Sequence, residues 1–132
     1  MKAVHTESAP APLGHYEQAM VSRGMLYIST QLPIVPGETP HMLADASVGE
    51  QATQLFKNLD ALLQAASCTS KDIVRFTFYV TNMQNWESLN AATTEFFGGH
   101  KPARGVICVP SLHMGYAVSA DLVAEVPTDT IS

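Results

Sequence analysis

The sequence predicts an α+β domain in which two helices lie on one face of a mixed β-sheet. Three observations carry this: an apolar stripe of helical period from Val48 to Ala66, strict alternation from Asp72 to Val80, and the succession β-β-α-β-α-β-β along the chain. With 132 residues the chain has room for one compact domain, residues 1–132, and little for a second. No internal repeat interrupts it.

Residues 1–14 are rich in Ala, Pro and Ser and predict an extended N-terminal segment. Tyr16–Val21 and Met25–Thr30 flank a turn at Ser22-Arg23-Gly24, the pattern of a hairpin. Pro33, Pro36, Gly37 and Pro40 then exclude regular structure until about Asp45. The helix that follows presents Val48, Ala52, Leu55, Phe56, Leu59, Leu62, Leu63 and Ala66 on one side, and Ser47 with Glu50 matches a capping box at its start. Burial of its larger side chains, at about 1.5–3 kcal/mol each, is worth on the order of 10 kcal/mol before chain entropy is subtracted. Such a stripe needs a sheet beneath it. Asp72–Val80 offers one, with Val74, Phe76, Phe78 and Val80 on one face and Arg75, Thr77 and Tyr79 on the other.

A second helix is predicted from Trp86 to Phe97, capped by Asn85, with Trp86, Leu89, Thr93, Phe96 and Phe97 sharing a face and Gly98-Gly99 stopping it. Arg104–Val109 and Ala117–Val126 are the last strands. In the second of these, Val118, Ala120, Leu122, Ala124 and Val126 suit a face under helices. Ala117, Ser119, Asp121, Val123 and Glu125 suit a polar face or one shared with a partner. Residues 127–132 predict a flexible, fraying tail.

Composition narrows the function. Apolar residues make up 46% of the chain, yet no window approaches the roughly 18 apolar residues of a membrane span. The N-terminus lacks the apolar core of a signal peptide, and Cys68 and Cys108 form no Cys-x-x-Cys pair; a cytoplasmic protein is expected. Seven basic against twelve acidic side chains give a net charge of −5, with no basic cluster to meet phosphates, so nucleic acid is not an expected partner. Charged residues are only 14% of the chain, against about 25% in an average domain. A small surface so poor in charge is expected to be buried in part against copies of itself.

Few side chains offer chemistry. His5, His15, His41, His100 and His113 miss the usual ligand spacings, so no metal is expected. There is no phosphate loop and no Gly-x-Ser-x-Gly elbow. Cys108, in a strand of Val and Ile, suits a small buried hydrophobe better than a nucleophile. Of three arginines, Arg23 belongs to a solvated turn and Arg75 to a mid-strand position fit for an ion pair. Arg104 opens a strand behind Pro102 and heads an apolar strip through Val106 and Cys108. Two readings stand side by side: bidentate binding of a small carboxylate, or a salt bridge to Asp121 or another acid. If the last two strands pair as an antiparallel hairpin, Arg104 faces Ser119 or Asp121 on the side away from the helices. A second subunit would then complete the pocket, and a slip of one residue would destroy it.

Read in order, Ala9-Pro10, Leu13-Gly14-His15-Tyr16-Glu17-Gln18-Ala19, Tyr27-Ile28-Ser29-Thr30-Gln31-Leu32-Pro33 and Asn58-Leu59 resemble the Rid (YjgF) family of enamine/imine deaminases. Phe78-Tyr79-Val80-Thr81-Asn82-Met83, Leu89-Asn90, Glu95-Phe96-Phe97-Gly98 and Pro102-Ala103-Arg104 extend the resemblance, which spans about Ala9 to Val126. It implies a chorismate-mutase-like subunit in a homotrimer, with ligand clefts between subunits. It implies that Arg104 grips a substrate carboxylate, that Tyr16, Ser29 and Asn90 line the same cleft, and that 2-imino or enamine acids are hydrolysed to keto acids and ammonia without a cofactor. Three departures stand out. Ser119 falls where the family carries a Glu that positions water, with Asp121 a same-face step away as a stand-in. Ser29-Thr30-Gln31 replaces Ser-Gly-Gln, and Gly105-Val106 replaces Ser-Cys. The substrate is therefore left open between 2-aminoacrylate-like and 2-aminomuconate-like acids. The alternative is a non-catalytic trimer that binds small carboxylates or a partner. Family members named as ribonucleases or translation inhibitors are a poor guide for so acidic a chain.

Overall fold

Six strands form one sheet in the computed structural model, which describes residues 1–128. They are β1 (Lys2–Val4), β2 (Ala19–Ser22), β3 (Met25–Gln31), β4 (Ile73–Val80), β5 (Ala103–Cys108) and β6 (Val118–Glu125). Two helices, α1 (Val48–Ala65) and α2 (Trp86–Phe97), complete the α+β fold. The sheet order is β1-β2-β3-β6-β4-β5, and only β4 and β5 run parallel. Where composition suggests only an extended N-terminal segment, Lys2–Val4 adds an edge strand to β2. The tail expected at 127–132 lies, from residue 129 onward, outside the described residues.

Local chemistry explains most of these elements. The β2–β3 hairpin turns through Arg23 and Gly24, both with positive φ (52° and 78°), the geometry that matches strand twist in a two-residue loop. Ser47 caps α1 by accepting the Glu50 N–H at 3.2 Å, while the Glu50 carboxylate accepts the Ser47 hydroxyl at 3.3 Å. Ala52, Leu55, Phe56, Leu59, Leu62 and Leu63 of α1 are buried against Leu26, Ile28, Phe76, Phe78, Val118, Ala120 and Leu122 of the sheet. Phe56, Phe76, Phe78, Phe96 and Phe97 pack edge-to-face, stacked or, for Phe76 and Phe97, tilted at 39°, tying α2 to α1 and β4.

Three expectations need correction. Asn85 makes no side-chain cap; Asn82 instead accepts the Gln84 N–H at 2.9 Å and caps a short 3-10 turn, Met83–Asn85, that leads into Trp86. Val74 does not join Phe76, Phe78 and Val80 on the inner face. A register shift between Ile73 and Arg75 buries Ile73 and leaves Val74 46% exposed. The third correction matters most. β5 does not pair with β6: it lies parallel to β4 at the sheet edge, with Phe76 opposite Arg104, and β6 runs between β3 and β4. A strand–helix–strand unit, β4-α2-β5, is the connection that parallel neighbours require.

Candidate functional site

The strand order separates residues that a β5–β6 hairpin would have joined. Partners in adjacent strands point to the same side, so Arg104, opposite Phe76, points to the helix-covered side. Ser119, opposite Tyr79, and Asp121, opposite Thr77, belong to the other face. The patch of cation, hydroxyl and carboxylate is therefore absent within one subunit, and a salt bridge from Arg104 to Asp121 is excluded with it.

Arg104 and Asn90 do come together. Both line a hollow of about 330 Å³ between β5 and α2, with Phe76, Thr93 and Phe97 at its base. The Arg104 guanidinium carbon lies over the Trp86 ring, 4.6 Å from its centroid. Arg104 is exposed on an edge strand, and Asn90 is exposed one helical turn beyond Trp86. Cys108 ends the same strand and is exposed; the buried cysteine is Cys68, contrary to the expectation for Cys108. Next to Arg104 in the chain, Gly105 lets the Arg75 side chain lie over β5 on the outer face, since a Cβ there would meet Arg75 Nη2 at 2.9 Å.

Tyr16, Ser29 and Ser119 come together elsewhere, around a hollow of about 610 Å³ beside β3 and β6 that Leu13, Leu32 and Leu112 also line. Ser29 and Thr30 stand where the β3–β6 register shifts between Ile28 and Gln31. The Ser29 hydroxyl donates to Glu17 O at 2.6 Å, and the Tyr16 oxygen accepts the Leu13 N–H at 3.3 Å. Ser119 is buried, and its Oγ is the buried side-chain oxygen left without a hydrogen-bond partner among the described residues. An unpaired buried hydroxyl costs about 1–3 kcal/mol, a cost that a bound water or ligand relieves.

Asp121 does not line that hollow. Its carboxylate accepts the Thr30 hydroxyl at 2.9 Å. Tyr79 stands beside it; burial first, then the hydrogen bond and charge of Asp121, push the phenol pKa up. The Asp121 carboxylate is thus engaged by Thr30 and Tyr79 rather than turned toward the hollow. No group of three or more His, Cys, Asp and Glu is placed to hold a metal ion among the described residues. No helix among them is long and apolar enough to cross a membrane.

Sequence reasoning passed over three buried amides that shape these hollows. Gln51 Nε2 donates to Ala44 O and Ala46 O while its Oε1 accepts the Ala117 N–H, and Asn58 Nδ2 donates to Leu32 O and Ile34 O. Gln18 binds Thr6 and Pro10 in the same manner. They fix the irregular segments beside the strands, and the Tyr16 hollow lies among those segments. Gln51 and Asn58 lie seven residues apart on the buried side of α1, and polar residues at core positions facing a proline-rich loop were the available signal.

The fold is that of a widely represented family of α+β proteins. The Endoribonuclease L-PSP family profile matches residues 6–126, and the chain belongs to that family, which is also the Rid family. A rat 2-iminobutanoate/2-iminopropanoate deaminase is 30% identical over 93% of this chain and 88% of its own length. The crystal structure of a Rid-family protein of unknown function from Yersinia pestis superposes with a TM-score of 0.88 at 34% identity, covering 95% of this chain and 98% of that one. The E. coli protein TdcF, solved with bound serine, gives 0.86 at 28% identity, with 95% and 98% covered.

Proposed function

We propose that this chain hydrolyses small 2-imino and enamine carboxylates to keto acids and ammonia, with Arg104 holding the substrate carboxylate. The observation that carries the reading is the state of Arg104. Its guanidinium rests on an aromatic face, away from Asp121, and its fork of N–H donors suits a planar carboxylate. The rat relative named as a 2-iminobutanoate/2-iminopropanoate deaminase and TdcF with its bound serine support a ligand of this class.

The working site is proposed to form between subunits of a chorismate-mutase-like homotrimer. β5 is a sheet edge, so the Arg104–Asn90 hollow is open to a neighbour that could bring its own Tyr16, Ser29 and Ser119. Tyr27 and Ile107, on the face without helices, are 48% and 49% exposed and suit burial in the same assembly. The chemistry then asks little of the protein. The carboxylate is fixed, and an enamine first becomes the imine by moving a proton from nitrogen to its terminal carbon. Water adds to the C=N carbon while the nitrogen takes a proton, and the C–N bond breaks to release ammonia. Both water protons leave with that ammonia, and no electrons are transferred. In this reading the unpaired Ser119 hydroxyl of a neighbouring subunit holds the water, a weaker role than a carboxylate would play. Whether the natural acid resembles 2-aminoacrylate or the longer 2-aminomuconate is decided by assay.

The same Ser119 favours a second reading, a trimer that binds small carboxylates or a partner without turnover. An assay with 2-aminoacrylate generated by a dehydratase, and with 2-aminomuconate, separates the two. Accelerated keto-acid release is expected, abolished in Arg104→Ala by a fall of about 100-fold or more in kcat/KM, and largely but less completely lost in Arg104→Lys. Keto-acid binding with no acceleration of either substrate would establish the binding protein instead. A net charge of −5 argues against ribonuclease action, and RNA left intact at low salt would dismiss it.

A further inference from the structure

The contact between Arg104 and Trp86 does more than fill space. We infer that Trp86 is a positioning residue for the carboxylate clamp, its indole holding the Arg104 guanidinium by one face and leaving the N–H rim to the ligand. The inference rests on the proposed function, because it takes Arg104 as the clamp.

A guanidinium carries its five donors in its own plane, whereas an aromatic ring attracts it through the face. An acid in the same position would occupy donors and neutralise the charge. An indole does neither. Arg104 has little else to fix it, being exposed on an edge strand with a long flexible stem. Trp86 is better anchored: it opens α2 directly behind the Asn82-capped turn and packs partly buried against the core. Asn90 follows four residues on, so ring and amide stand on the same side of α2, where residues one turn apart are neighbours. The hollow that Arg104 shares with Asn90 adjoins this contact.

Trp86 is the chain's one tryptophan, so intrinsic fluorescence reads the contact without a label. The test titrates the intact protein with 2-oxobutanoate, following emission and, in parallel, heat. Emission is expected to change saturably, with the dissociation constant found by calorimetry, and Arg104→Lys is expected to alter emission of the ligand-free protein. In steady-state kinetics Trp86→Leu raises KM about three- to tenfold with kcat within about twofold, while Trp86→Phe keeps KM within about twofold of wild type. Calorimetric binding with silent emission overturns the inference and spares the clamp. So does a wild-type KM in Trp86→Leu, or an equal loss in the Leu and Phe variants. If Trp86→Leu does not fold, the Phe variant and the fluorescence titration decide. Absence of calorimetric binding removes the clamp itself, and this inference with it.

Discussion

Cys68 shows how a single side chain links burial to pH. It is 2% exposed, and its thiol lies 3.7 Å from Ala66 O and 3.9 Å from Glu125 O. Burial, then the nearby charge of Asp72, pushes the thiol pKa above its ordinary 9.0. The folded chain therefore keeps the proton longer than the unfolded chain does. That contribution to stability is complete below pH 9.0 and is lost as the pH rises past it, because only the unfolded thiol ionises. Urea unfolding at fixed protein concentration should give a free energy that falls from about pH 8 to about pH 11, and less steeply in Cys68→Ala. Tyr79 and Tyr116, whose phenols are also raised chiefly by burial, add to the decline at the upper end. Parallel curves for wild type and Cys68→Ala would contradict this account of the thiol.

Elements were legible where one periodicity dominated. The α1 stripe, the β2–β3 turn and the alternation of β6 follow from residue spacing, and the structure places them as expected, except that the first hairpin strand starts at Ala19 and leaves Tyr16 in the loop before it. Pairing was less legible. Consecutive strands pair more often than not, which favoured β5 with β6, but α2 between β4 and β5 is the mark of a parallel crossover. Val118, Ala120, Leu122 and Ala124 are also what a central strand under two helices needs. The contact between Arg104 and Trp86 depends on that crossover and could not be read before it. The cap of α2 is a similar case: both Asn82 and Asn85 are plausible in sequence, and only the backbone shows which one bonds. Asn82→Ala should cost about 0.5–2 kcal/mol in denaturant unfolding and Asn85→Ala under about 0.5 kcal/mol. The reverse order would show that the turn before Trp86 is held by something other than Asn82.

At the scale of the whole molecule, two separate hollows on one small chain are the central feature. Arg104 and Asn90 serve one, and Tyr16, Ser29 and Ser119 the other, on strands at different places in the sheet. Resemblance named these residues without saying that they divide into two groups; strand order showed the division. Co-expression of two differently tagged variants tests it most directly: Arg104→Ala, which removes the cation, and Ser29→Phe, which fills the Tyr16 hollow. Each variant alone is expected to be nearly inactive with 2-aminoacrylate. In the proposed trimer, mixed assemblies isolated through both tags should recover about a third of wild-type activity, because one of their three interfaces then joins two intact halves. A mixture no more active than its parents would contradict a site shared between subunits.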